Sequence, residues 1–268
     1  MMVASLPMYD FPEMRGATDA WWQGLARAFR REGIADVADA LWRGEDYRSL
    51  WTRPDLLISQ TCGYPLIRAL RGTVTLVATP CYSAPGCEGA SYRSAVIVRR
   101  ESAAGDISAM RGARCAINGY DSQSGHNALR ALIAPLSSGK SFFQDVIVSG
   151  SHVNSLSMVS AGDVDVAAID CVTYALLARH RPGAVERTRV LCFTRSAPAL
   201  PYITRQPVDD DLLTRLRRGL AAACHDPELS DARESLMLRD IRVLPLSAYE
   251  RIAEMEEGAA ALGYRQVA

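Results

Sequence analysis

The sequence predicts an α/β fold built from two successive sets of strands and helices. Three observations carry this. Short β-branched or apolar runs alternate with stretches of helical spacing; the runs fall into two groups on either side of a Pro85-Gly86 turn; and 268 residues at 49% hydrophobic content can bury the core of one large domain or of two ordinary lobes. The regular strand-then-helix order argues for a mostly parallel sheet with helices on both faces.

Taken in order, residues 3–6 read as a first short strand, followed by a helix over 18–30, with Thr18 as cap and Trp22, Leu25, Ala26 and Phe29 as its apolar stripe. Residues 34–42 repeat the helical spacing. The run 55–59 is a strand ending in the turn Gln60-Thr61-Cys62-Gly63-Tyr64-Pro65, ahead of a short helix over 66–70 and a strand over 74–79. The second set starts with the strand 94–98. It continues through a strand over 115–117, a Ser-rich turn and helix, a strand over 146–148, a second helix, a strand over 164–169, and a helix over 172–178. A strand over 190–193 leads out through the Pro- and Ala-rich stretch 196–201. The remainder, with helices over 211–224 and 248–261, shows no strand set of its own and is assigned back to the first lobe. No internal repeat or low-complexity segment interrupts the chain.

Thirty Lys and Arg balance thirty Asp and Glu, so the chain has no electrostatic footprint for nucleic acid or an anionic membrane. Any ligand is recognised locally. Seven cysteines occur without a C-x-x-C pair, which argues against a structural zinc site, and Cys115, Cys171 and Cys192 lie in apolar runs as small core residues. Cys81 and Cys87 flank a short loop and stand either as a local disulfide or as two thiols. No run approaches the roughly 18 apolar residues of a bilayer span. Residues 2–7 already read as the first strand, so the chain as written is expected in the cytoplasm, or in the periplasm if its start has been trimmed.

The stretch that organises the chain is N-G-Y-D-S-Q-S-G-H-N-A-L-R, residues 118–130. It follows a buried-looking strand and opens a helix. The first turn of a helix presents unpaired N–H groups and the positive end of the dipole, to which Ser122, Gln123, Ser124 and Gly125 add side-chain donors and an unobstructed backbone. That combination suits an oxyanion; helix capping by Ser122 or Ser124 is the competing reading. A second copy lies downstream, where Gly150-Ser151-His152 follows a β-branched strand and precedes another helix.

Open α/β sheets bind ligands beyond the carboxyl ends of their strands. The polar or aromatic residues there are Tyr9, Gln60, Thr61, Cys62, Gly63, Tyr92, the group from Ser122 to Gly125, Ser151, His152 and Asp170. They come from both halves of the chain, as expected for a cleft that closes on a small molecule by a hinge. Asp170 is read either as a helix cap or as a pocket carboxylate for an ammonium or hydroxyl group. His152 either caps or donates to the anion. Tyr64, Tyr92 and the Trp21-Trp22 pair read more simply as core or rim, and Cys62 lacks an identifiable partner base.

Several motifs in order carry a resemblance over nearly the whole chain. S-L-P-M-Y-D-F-P-E (5–13), Q-T-C-G-Y-P (60–65), P-C-Y-S-A-P-G-C-E-G-A-S-Y-R-S (80–94), the 118–130 stretch, G-S-H (150–152) and D-V-A-A-I-D-C-V (165–172) together resemble the phosphate/phosphite/phosphonate-binding proteins of ABC transporters. The resemblance implies a type II periplasmic-binding-protein-like fold with two Rossmann-like lobes and a hinge, here about 1–90 with 195–268, and about 91–194. It implies that Ser122, Ser124, Gly125, Ser151 and His152 hold the oxyanion, with Tyr9 and residues 60–63 facing it. It also implies an ABC transporter permease as partner and no cofactor, metal or catalytic residue.

Three function classes follow. A solute-binding protein for a small anion or zwitterion is favoured by hydroxyl and N–H donors without a convincing acid/base pair. An enzyme on the same two-lobed architecture is the second class. The third is a cytoplasmic sensor that reports its ligand to a partner. A Ser124, His152 and Asp170 hydrolase is a weaker variant, since no G-x-S-x-G elbow is present.

Overall fold

A computed structural model describes residues 2–44 and 46–268. The strands are β1 (Val3–Ser5), β2 (Leu56–Gln60), β3 (Val74–Tyr82), β4 (Ser91–Tyr92), β5 (Ser94–Arg99) and β6 (Arg114–Ile117). They continue with β7 (Asp145–Val148), β8 (Val166–Asp170), β9 (Thr188–Phe193), β10 (Ala197–Pro198), β11 (Tyr202–Arg205) and β12 (Leu238–Arg242). The helices are α1 (Arg15–Arg31), α2 (Tyr47–Trp51), α3 (Gly63–Arg68), α4 (Ala128–Ser137) and α5 (His152–Ala161). After them come α6 (Cys171–His180), α7 (Asp210–His225), α8 (Ser230–Ser235) and α9 (Glu250–Ala261).

The chain divides into two compact units. The first holds Met1–Ser83, Glu88–Ala90 and Pro198–Ala248; the second holds Ala84–Cys87, Ser91–Ala197 and Tyr249–Ala268.

In the first unit the sheet order is β1-β2-β11-β3-β12. β1 and β2 run parallel, whereas β11 lies antiparallel between β2 and β3, and β12 antiparallel on β3. The tail therefore does contribute strands, and the sheet is mixed where a mostly parallel one was expected. α1 buries Trp21, Trp22, Leu25, Ala26 and Phe29 along one stripe, the amphipathic spacing read from the sequence. It starts at Arg15, and Thr18, expected as its cap, instead donates from inside the helix to the Met14 carbonyl at 3.1 Å. α3 begins at Gly63, earlier than expected, because a first helical turn tolerates Pro65.

Residues 34–42 are not a helix. Ile34, Val37, Ala38 and Leu41 are buried as the spacing requires, but their backbone partners lie elsewhere. Met2 N donates to Asp36 O, Trp42 N to Ala4 O, and the Arg30 guanidinium to Val37 O. External partners thus hold an extended segment onto the sheet edge, and helical periodicity is satisfied without a helix.

In the second unit the order is β7-β6-β8-β5-β9, with β7, β6 and β8 parallel and β5 antiparallel to both β8 and β9. Both faces are covered. Val96 and Val98 of β5 join one apolar cluster with Cys115, Ile117, Leu129 and Ile133, while Ala95 and Ile97 join another with Leu156, Val159 and Ile169. Successive side chains of a strand point to opposite faces, so a sheet buried on both reads as an unbroken apolar run.

The C-terminal segment, assigned from sequence to the first lobe, belongs to the second unit. Its residues complete that unit's core: Ala259, Tyr264 and Val267 pack in the cluster that holds Phe142 and Phe143. Asn127 Nδ2 donates to Ile252 O at 2.9 Å, and both Phe142 N and Phe143 N donate to Ala268 O.

Candidate functional site

Three helix starts follow three neighbouring parallel strands of the second unit. β6 leads into a π-helical turn over Gln123–Asn127 and then α4, β7 leads into α5, and β8 into α6. Register places the strand ends side by side, with Ile117 opposite Val148 and Ala116 opposite Ala167. Each start presents N–H groups and a positive dipole end at the same sheet edge, and together they favour an anion.

At the first start Ser122 is extended (φ −91°, ψ 129°) and its Oγ accepts from Gly125 N at 3.0 Å, which is a capping bond. Asn127 N reaches back to Ser122 O at 3.0 Å, the longer loop that makes this turn π-helical. Ser124, buried, turns its hydroxyl to His152 Nε2 at 2.8 Å. Gly125 admits no side chain: a Cβ there would lie 1.8 Å from Asn118 Oδ1 and 3.2 Å from the His152 ring. Gln123 faces the other way, with Nε2 on Met255 Sδ and Oε1 accepting from Asn127 Nδ2. It braces the turn against α9, and the structure does not bring it to the row of helix starts.

At the second start Ser151 caps α5, its Oγ accepting from Asn154 N at 3.1 Å, and His152 is the first helical residue. Burial of the ring depresses the His152 pKa to about 4. The residue as a whole is half-buried, so the effect belongs to its inner ring atoms, Nδ1 among them. His152 is therefore neutral near pH 7. In the tautomer with the proton on Nε2, His152 donates to Ser124 Oγ and leaves the Ser124 hydroxyl proton available to an anion.

At the third start Asp170, buried, caps α6, with Oδ1 accepting from Val172 N at 2.8 Å and Thr173 N at 3.0 Å. Ser94 couples this strand end to the first. It pairs with Asp170 across β5 and β8, and its Oγ donates to Ser124 O at 2.8 Å.

Sequence reasoning missed Ser94 and Asn118. Each lies at one end of a quoted motif without being singled out, and only the fold reveals that Ser94 bonds the Ser124 carbonyl and that Asn118 packs against Gly125. His126 is buried edge-on against Tyr120 with ring centroids 5.2 Å apart. Tyr92 is buried on β4, which pairs with β10.

In the first unit, Tyr9 packs edge-on against Tyr82 at 5.2 Å, and Gln60 Nε2 donates to Tyr82 Oη and Leu200 O, each at 3.0 Å. Tyr9, Trp21, Gln60, Tyr82 and Tyr202 line a cavity of about 20 Å³, room for roughly one water. Thr61 N donates to Pro201 O, Cys62 is the extended residue ahead of α3, and Gly63 opens that short helix. Among the described residues no cluster of three or more His, Cys, Asp or Glu is placed to hold a metal, and no helix is long and apolar enough to cross a membrane.

Two α/β units, one of them carrying three helix starts at adjacent strand ends, define a solute-binding protein of the periplasmic-binding type. A family model described as the periplasmic substrate-binding protein of phosphonate ABC transporters matches residues 53–248, and the chain belongs to that family.

Solved structures share the fold. A binding-protein component of a phosphonate ABC transporter from Pseudomonas aeruginosa aligns at 15% identity over 97% of this chain and 87% of its own, with a TM-score of 0.77. PhnD1 of Prochlorococcus marinus, solved with methylphosphonate, aligns at 12% identity over 96% and 97% with a TM-score of 0.76. XAC2383 of Xanthomonas citri, solved with chloride ion, aligns at 18% identity over 97% and 98% with a TM-score of 0.72. A comparison with curated proteins gives no match.

Proposed function

We propose that this chain captures a small phosphonate or phosphate-like anion at the helix starts of its second unit and delivers it to an ABC transporter permease. The observation that carries the reading is the Ser124–His152 contact at the meeting of two helix N-termini. A neutral histidine that orients a hydroxyl, beside N–H groups of two dipoles, is a set of donors suited to an anion. Family membership and the methylphosphonate held by the Prochlorococcus marinus protein support the ligand class. Asp170 supplies the complementary carboxylate for a ligand that also bears an ammonium group. Ser122 contributes chiefly by shaping the turn it caps.

The test is calorimetric titration of the full chain with methylphosphonate, inorganic phosphate and an aminoalkylphosphonate. Micromolar or tighter binding of at least one, abolished by Ser124→Ala together with His152→Ala, is the expected result. Equal binding by wild type and this double variant would overturn the assignment. For location, the family description favours the periplasm, and fractionation of source cells tests it.

A further inference from the structure

Cys87 and Cys171 stand sulfur to sulfur at 3.5 Å, although 84 positions apart in the chain. Both belong to the second unit. Gly86 makes the approach feasible: its φ of +98° is open to glycine, and a Cβ there would sit 3.2 Å from Cys171 Cβ and 2.8 Å from the Phe193 ring. The turn is closed by Cys87 N donating to Ala84 O at 2.9 Å. On the other side Cys171 is buried as the first residue of α6, directly after the cap Asp170, with its N–H on Arg93 O at 3.2 Å. Cys87 is only half-buried, so one sulfur of the pair is within reach of solutes and the other is not.

We propose that Cys87 and Cys171 are a redox-sensitive pair that closes to an intramolecular disulfide by exchange with a low-molecular-weight disulfide. Cys87, deprotonated, attacks one sulfur of the incoming disulfide, whose S–S bond breaks and releases one thiolate. Cys171 then loses its proton to solvent and attacks the Cys87 sulfur, expelling the second thiolate. Two protein thiols are oxidised and one external disulfide is reduced to two thiols. This order follows from the geometry, since only Cys87 is accessible. It agrees with the thiol of Cys171 being held protonated, first by its contact with Cys87 and then by burial beside Asp170. Bond formation needs the sulfurs to close from 3.5 Å to about 2 Å, within the range of side-chain rotation when one partner lies on a turn. The product ties the 84–87 turn to the helix start that Asp170 caps. Cys81, the other cysteine flanking that loop, lies in β3 of the first unit, buried, with its thiol pKa pushed up to about 11 by that burial.

The experiment uses the full chain under native conditions with oxidised glutathione, followed by acid quench, alkylation and peptide mapping. Two of the seven thiols should disappear, with a single cross-link joining the Cys87 and Cys171 peptides, and reductant should restore both. Cys87→Ser should lose none, and Cys81→Ser should lose the same two. Three results each overturn the proposal: no thiol loss, a Cys81–Cys87 cross-link, or glutathione retained on Cys87 while Cys171 stays alkylatable. The wild-type map decides the matter even if a cysteine variant folds poorly.

Discussion

Ser124 Oγ and His152 Nε2 lie 2.8 Å apart, joining the turn after β6 to the helix start after β7. The contact makes one donor group out of two local motifs 28 residues apart. Under the proposed function, replacing Ser124 by Ala removes a hydroxyl that donates to the anion, so affinity for methylphosphonate should fall about tenfold to a hundredfold, the equivalent of about 1.5–3 kcal/mol. Calorimetric titration measures this. The melting temperature should change little.

Ser122→Ala should behave oppositely. Its Oγ is engaged by Gly125 N, so the variant loses a cap worth about 1 kcal/mol of folding stability while affinity stays within a few-fold of wild type. Denaturant unfolding and titration of the same preparation separate the two effects. A hundredfold affinity loss at unchanged stability would place Ser122 directly on the ligand.

Gly125→Ala forces a methyl group to within 1.8 Å of Asn118 Oδ1 unless that side chain moves. A loss of about 1–3 kcal/mol of stability is expected from such overpacking, together with impaired binding, because the displaced Asn118 and the adjacent His152 ring share the space. Urea midpoints report the first effect and titration the second.

Acid should destabilise the protein through its buried histidines. His152 and His126 are both depressed to about 4, chiefly by burial, from an ordinary 6.5. The unfolded chain therefore binds protons that the folded chain refuses. Stability from these groups is complete above about pH 6.5 and is lost as pH falls toward 4, by at most about 1.4 kcal/mol per unit for each residue. His152→Gln should flatten the pH dependence of the melting temperature over this window; an unchanged slope would argue that His152 titrates normally.

Asp170→Asn retains a capping oxygen for Val172 N and Thr173 N but removes the charge. Methylphosphonate affinity should be preserved or improved, and affinity for an aminoalkylphosphonate should fall about tenfold or more. Competition between the two ligands on wild type and variant gives the ratio directly.

What was legible in the sequence was what is local. A β-branched run, a Ser-bearing turn and a helical stripe occupy adjacent residues, so the starts at Ser122, Ser151 and Asp170 could be read before any fold was known. Their convergence depends on the register of β7, β6 and β8, and Ser94 enters only through pairing across β5 and β8. β12 escaped notice because Arg239, Asp240 and Arg242 break any apolar run on this edge strand. Residues 34–42 misled for the reverse reason: buried positions at helical spacing are served by an extended segment whose hydrogen bonds go to distant partners.

The placement of Tyr249–Ala268 in the second unit bears on how the chain is made. A ribosome releases β5 to β9 well before the residues that cover Phe142, Phe143 and Ile133, while β11 and β12 of the other unit are translated in between. The second unit thus emerges with the cluster around Phe142 and Phe143 incomplete, and those apolar side chains stay exposed to chaperones or to misassociation until the last segment leaves the exit tunnel.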